Sequence, residues 1–175
     1  MGILIDLQPD AGPALVIGGG TVAARKVRAL AEAGFSVTVI APEVARAIRD
    51  SGAVTVIERP FEPGDLGPGT HYALVFACTD SREVNRAAGE LAHERGIPVV
   101  VADAQDESTF FSPATVRDGE LAIAVSTGGA SPVLAREIRE KIVAALGPGW
   151  GTAIAAARTE RESRLGRGSR TRAGQ

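Results

Sequence analysis

Ala14-Leu-Val-Ile-Gly-Gly-Gly-Thr-Val-Ala23 decides the fold. Apolar residues suited to a buried strand run into three glycines, and a helical pattern begins at once. Gly18, Gly20 and Ala23 fit G-x-G-x-x-G/A, the phosphate-binding turn of a dinucleotide fold. Gly18 permits the tight turn, and Gly20 lets the backbone approach a pyrophosphate. Ala23 is small enough for the helix to lie close to its strand. Thr21 and Val22 open that helix, where backbone N–H groups lack intrahelical acceptors and point at an anion.

The surroundings supply what a lone glycine pattern lacks. Ala23, Val27, Leu30 and Ala31 recur at helical spacing, with Arg25, Lys26 and Arg28 on the other side. Gly34 suits the position after a helix end. Residues 36–40, Ser-Val-Thr-Val-Ile, read as a second strand. Strand, glycine turn, helix and strand thus fit within residues 14–40, the compact βαβ unit that the pattern requires. Pro42 and Glu43 follow. An acidic residue about 20 positions beyond the glycines holds ribose hydroxyls in such folds, and Glu43 is the acid nearest that place. The same carboxylate also suits a helix entry, where the dipole favours negative charge. On the ribose it would repel a 2′-phosphate and select NAD over NADP.

The alternation continues outward. Strands are expected over 53–57, 72–78 and 97–101, with a short helix over 44–50 and a longer one ending near Arg95. Asp80 or Ser81 caps the longer helix, and Val84, Ala87, Ala88 and Leu91 form its apolar side. Such alternation implies a doubly wound, Rossmann-type parallel sheet, whose ligands sit beyond the carboxyl ends of the strands. The glycine turn, Pro42-Glu43, Thr79-Asp80 and Ala102-Asp103 should gather at that edge. The pattern then changes. Strands over 109–115 and 121–126 flank a turn at 116–120. Ser131 and Pro132 then start a helix on which Leu134, Ile138, Ile142, Ala145 and Leu146 share a face. A final helix is expected over 150–164, and a disordered basic tail over 166–175.

Composition narrows the partners. The chain has 175 residues, 45% hydrophobic but only 4% aromatic, so its core is built from Val, Ile, Leu and Ala. That suits parallel strands covered by helices. The net charge of −2 suggests no nucleic-acid partner. Residues 158–175 hold six Arg against two Glu, without aromatics, and read as a solvated tail rather than a nucleic-acid surface. No apolar run reaches the ~18 residues of a membrane span. No signal peptide is read, and the single cysteine, Cys78, fits a reducing cytoplasm. His71 and His93 lack partners at metal-ligand spacing, so no resident metal site is expected. Cys78 reads as a core residue. Asp103, at the end of the fifth strand, reads either as a strand-end cap or as a carboxylate presented to the ligand edge.

Three stretches then match a known family. Ile17-Gly-Gly-Gly-Thr-Val-Ala-Ala-Arg-Lys26, Val37-Thr-Val-Ile-Ala-Pro42 and Ala122-Ile-Ala-Val-Ser-Thr-Gly-Gly-Ala-Ser-Pro-Val-Leu-Ala-Arg136 closely resemble the N-terminal module of the siroheme synthases. The resemblance covers residues 3–147 in one register. It implies an NAD-dependent precorrin-2 dehydrogenase making sirohydrochlorin. Some members also insert Fe²⁺, taken as a substrate. It implies a dinucleotide domain (1–112), a dimerisation and substrate-binding region exchanged in a homodimer (113–147), and an extension (148–175). The family's active-site aspartate lies ten residues before a proline, which selects Asp103, before Pro113. The family's usual asparagine three residues earlier is Val100 here, and its Ala-Thr-Asp-Asp is Cys78-Thr79-Asp80-Ser81. For a carboxylate-rimmed tetrapyrrole, Ser126, Thr127, Gly128, Gly129 and Ser131 offer donors at a helix start, and Arg117 and Arg136 are further candidate anion contacts. Two other readings stand beside this one: a bifunctional dehydrogenase and ferrochelatase, and a non-catalytic dinucleotide-sensing module.

Overall fold

The computed structural model describes residues 2–52 and 54–172. The chain divides into two compact units, Met1–Phe111 and Ser112–Gln175.

The first unit is a five-stranded sheet in the order β3-β2-β1-β4-β5, with every pairing parallel. Its strands are β1 (Ala14–Ile17), β2 (Val37–Ile40), β3 (Val54–Ile57), β4 (Leu74–Ala77) and β5 (Val99–Val101). The helices are α1 (Thr21–Glu32), α2 (Arg46–Arg49) and α3 (Arg82–Glu94). Alternate side chains go to opposite faces of a strand, and the sequence supplies apolar residues for both. Val16, Val39 and Phe76 pack with Val27 and Leu30 of α1 and with Ile48 of α2. Leu15, Ile17, Val75, Ala77, Val99 and Val101 pack on the other side with Ala88 and Ala92 of α3. Leu66, from the 3-10 turn Pro63–Leu66, joins this second core. Each large side chain so buried is worth about 1.5–3 kcal/mol.

Register levels the strand ends. Ile17 pairs with Ile40 on one side and Ala77 on the other, and Ala77 pairs with Val101. The segments that leave these four strands therefore emerge along one edge. Strand order reverses direction at β1, between β2 and β4, which opens the crevice where doubly wound sheets bind ligands.

The second unit holds an antiparallel hairpin, β6 (Ala114–Asp118) and β7 (Leu121–Val125), followed by α4 (Pro132–Leu146) and α5 (Trp150–Arg172). The hairpin corrects the sequence reading, which placed a strand over 109–115 and a turn at 116–120. Ser108 and Thr109 are engaged on β5 instead. The Val101 N–H donates to Ser108 Oγ at 2.9 Å, and the Val99 N–H donates to Thr109 Oγ1 at 2.8 Å. These hydroxyls cover part of β5's outer edge. Pro113 has no N–H to give a ladder, so β6 starts after it, and the turn is Gly119-Glu120 with Gly119 at φ +57°.

One further expectation changes. Helical backbone continues past Gly166 to Arg172, where a disordered tail was expected; residues 173–175 lie outside the described residues. Two interior glycines cost a helix only about 1 kcal/mol each, and Glu160 and Arg164 form an i,i+4 pair beside them. Residues 3–7 form an arm: Ile3, Leu4 and Ile5 are exposed, and Leu7 packs against the core.

Candidate functional site

The level sheet edge gathers the site residues expected in the first unit. Gly18 leaves β1 at φ +122°, donates its N–H to Ile40 O at 2.9 Å, and lies so close to β4 that a Cβ would fall 2.5 Å from Cys78 O. Gly19 is tighter still. A Cβ there would fall 1.8 Å from Glu43 O, and Gly19 O accepts from the Ala45 N–H at 2.9 Å. The sequence reading gave Gly19 no role, yet it is the glycine that admits the β2–α2 loop. Gly20 differs, because a Cβ there would meet nothing within 4 Å. It is exposed, it caps α1 without a side-chain hydrogen bond, and Thr21 and Val22 follow it into the helix. Open space in front of uncapped helix N–H groups is the cradle that a dinucleotide phosphate requires. Ala23 is fully buried beneath the turn.

Pro42 and Glu43 are exposed at the end of β2. The short helix α2 starts only at Arg46 with Ala45 as its cap residue, so Glu43 does not cap it. Thr79 and Asp80 leave β4, half-buried and exposed respectively. Ser81, rather than Asp80, caps α3, its side chain accepting from the Val84 N–H. Cys78 is buried, and burial pushes its thiol up to about 11, against the opposing pull of Lys26. Lys26 itself departs from the reading that put it on the solvent side of α1. Its Nζ lies 5.0 Å from the centroid of the Phe76 ring, and burial lowers its pKa.

Asp103 leaves β5 at the same edge with its side chain 39% exposed. Its Oδ1 accepts from Asn85 Nδ2 at 3.2 Å, and its Oδ2 lies 3.9 Å from Arg82 Nε. Arg82 also pairs with Glu107. The sequence reading missed Asn85, a fully buried polar residue among the apolar residues of α3. The signal was present. Asn85 stands three and four residues before Ala88 and Gly89, both buried, so helical periodicity alone puts an amide on the inner face.

The Ser126–Ser131 loop belongs to the second unit. Thr127 and Ser131 close it on itself: the Ser131 N–H donates to Thr127 Oγ1, and Thr127 Oγ1 donates to Ser131 O, both at 3.1 Å. Gly128 and Gly129 have φ of +62° and +84°. Ser131 Oγ caps α4 by accepting from the Leu134 N–H at 3.1 Å. On α4 the expected apolar face is only half covered. Ile138 and Ile142 are half-buried, while Leu134 and Leu146 are exposed. Among the described residues, no group of three or more His, Cys, Asp or Glu is placed to hold a metal ion.

Residues 5–114 match a sequence family described as putative NAD(P)-binding. The chain belongs to this family. Residues 118–145 match a second one, described as sirohaem biosynthesis protein central. Among curated proteins, the siroheme synthase of Methylobacillus flagellatus is 42% identical over 154 residues, which is 86% of this chain and 32% of that protein. The siroheme synthase of Pseudomonas aeruginosa is 44% identical over 132 residues, 74% of this chain and 28% of that protein. This chain therefore spans about a third of the length of these relatives. A solved structure of SirC, precorrin-2 dehydrogenase, superposes with a TM-score of 0.70 at 26% identity, covering 87% of this chain and 74% of that one. The Rossmann-type fold and the resemblance to siroheme synthases are both borne out. No helix among the described residues is long and apolar enough to cross a membrane.

Proposed function

We propose that this chain is a dehydrogenase that oxidises precorrin-2 to sirohydrochlorin with NAD⁺, with Asp103 as the general base. The observation that carries the reading is one exposed carboxylate at the ligand edge of the sheet, tied to a buried amide, on the same edge as an open glycine turn. The similarity to siroheme synthases and to a precorrin-2 dehydrogenase supports the substrate. The oxidation removes a hydride and a proton from the tetrapyrrole. The nicotinamide supplies the hydride acceptor. Asp103 accepts the proton, a contribution worth about 10²–10⁴ in rate for a positioned base.

Gly20, Thr21 and Val22 hold the pyrophosphate through backbone N–H groups. Gly18 brings the turn close enough to β4 for Thr79 and Asp80 to border the nicotinamide side. Glu43 binds the ribose hydroxyls and repels a 2′-phosphate, which makes NAD rather than NADP the cofactor. Ser126, Thr127, Gly128, Gly129 and Ser131 receive substrate carboxylates, mainly through backbone donors, because the Ser131 hydroxyl already caps α4. The exposed apolar side chains of the second unit, Val133, Leu134, Val143, Leu146 and Trp150, support a homodimer that covers them.

Purified protein incubated with precorrin-2 and NAD⁺ is expected to form NADH and sirohydrochlorin together. Binding of NAD⁺ without turnover of competent substrate overturns the reading and favours a sensing module. A parallel arm with Fe²⁺ and sirohydrochlorin, followed by the metallated absorption spectrum, reads the chelatase step separately.

A further inference from the structure

We propose that Asn85 is a positioning residue for the proton-accepting carboxylate: it ties down Asp103 Oδ1 and leaves Oδ2 as the oxygen that takes the proton. The inference rests on the reading of Asp103 as general base. An amide is costly to bury unless its hydrogen-bonding groups are satisfied, and Asn85 is fully buried. All four of its groups are used. Its Oδ1 accepts from the Thr79 N–H at 2.9 Å and lies 2.8 Å from the Thr79 hydroxyl. Its Nδ2 donates to Thr79 O at 2.9 Å and to Asp103 Oδ1 at 3.2 Å.

This pattern fixes which way the amide faces. Turned over, it would set its NH₂ against the Thr79 N–H and its oxygen against both a carbonyl and a carboxylate. Thr79 therefore forces a donor onto Asp103. The donor cannot drift, because α3 is held against β5 by close approach: a Cβ on Gly89 would lie 2.9 Å from Val101 Cγ2. One oxygen of Asp103 is thus occupied. The other faces Arg82 at 3.9 Å, beyond hydrogen-bond reach, and that guanidinium also pairs with Glu107. Oδ2 keeps its lone pairs and a fixed direction.

The test substitutes Asn85→Asp. The new carboxyl keeps an oxygen for Thr79 and sets its second oxygen against Asp103 Oδ1. Protonated, it donates as the amide does; ionised, it repels Asp103, and two carboxylates at this distance hold a shared proton to higher pH. The other charged or titratable groups around the pair are Arg82 of α3, Glu107 and Asp106 after β5, and Cys78 just after β4 with Lys26 and Arg25 of α1 beyond it. The kcat of Asn85→Asp relative to the unmodified protein is expected within about fivefold at the acid end of the activity range. It should fall about 100-fold at the alkaline end, while the Kd for NAD⁺ stays within about threefold at both ends. An apolar substitution, Asn85→Leu, should lose turnover without acid rescue. A kcat ratio for Asn85→Asp that is constant across pH, whether near unity or low throughout, overturns the inference. Asp103→Asn is assayed beside it. Retained turnover there removes the general-base reading itself, whereas lost turnover with a constant Asn85→Asp ratio removes only the role of Asn85.

Discussion

The two units of this chain solve opposite problems. The first, Met1–Phe111, packs apolar residues on both faces of one sheet and leaves only Ile3, Leu4, Ile5 and Phe111 of its large apolar side chains exposed among the described residues. Among the described residues, every buried apolar side chain except Ala135 lies there. The second, Ser112–Gln175, leaves Val133, Leu134, Val143, Leu146 and Trp150 in solvent. A two-stranded hairpin with two helices has too little surface to close a core around itself. The difference teaches where precision comes from. In the first unit, dense packing sets strand ends level, so backbone atoms approach within distances that only glycine permits. In the second, α4 packs on the hairpin and Thr127 and Ser131 close the loop between them, while part of the apolar surface stays exposed.

The largest expected effect tests the first unit's edge. Asp103→Asn should lower kcat for precorrin-2 oxidation by about 10²–10⁴ and leave NAD⁺ binding intact, as read by NADH formation and calorimetric titration. Next comes the glycine turn, where two neighbours should behave differently. Gly19→Ala drives a Cβ into Glu43 O and should cost about 3 kcal/mol in urea unfolding. Gly20→Ala meets nothing in the folded chain and should unfold like the parent. It should, however, bind NAD⁺ about tenfold more weakly, because the methyl enters the space reserved for the pyrophosphate. Equal behaviour of the two would erase the distinction between a glycine needed for packing and one needed for the ligand.

The second unit should respond through association. Leu146→Asp is expected to weaken the homodimer by about 100-fold in sedimentation equilibrium and to leave NAD⁺ affinity unchanged. Loss of cofactor binding in this variant would deny the separation between the units. The last effect, absent at neutral pH, lies in the core beneath the site. The Cys78 thiol is raised from 9.0 to about 11 by burial, so the folded state holds its proton more tightly than the unfolded one. Its contribution is full below pH 9.0 and is lost as pH rises towards about 11. Cys78→Ala should abolish that part of the alkaline decline, at most about 3 kcal/mol, when unfolding is followed against pH.

Much of the first unit was legible in the chain because its signals are local. An apolar strand, a glycine turn and a helix within residues 14–40 leave few alternatives, and repetition of strand and helix carries the sheet to Val101. The hairpin was misplaced for a physical reason. Residues 109–113 have the composition of a strand, but Ser108 and Thr109 use their hydroxyls on β5, a contact that periodicity does not encode. Lys26 was misplaced because a long cationic side chain reaches inward over Phe76, although Arg25 and Arg28 beside it on α1 face water.

By itself the sequence determined the parallel sheet, the glycine turn and the position of Asp103 at a strand exit. Each follows from residues close together in the chain, through backbone sterics and hydrophobic spacing. Only the tertiary structure decided that Gly19 is the tightest point of the turn and that Asn85 joins Thr79 to Asp103. Both depend on contacts between separate segments, Gly19 with the loop after β2 and Asn85 of α3 with Asp103 after β5, which register and helix packing set and no local pattern records.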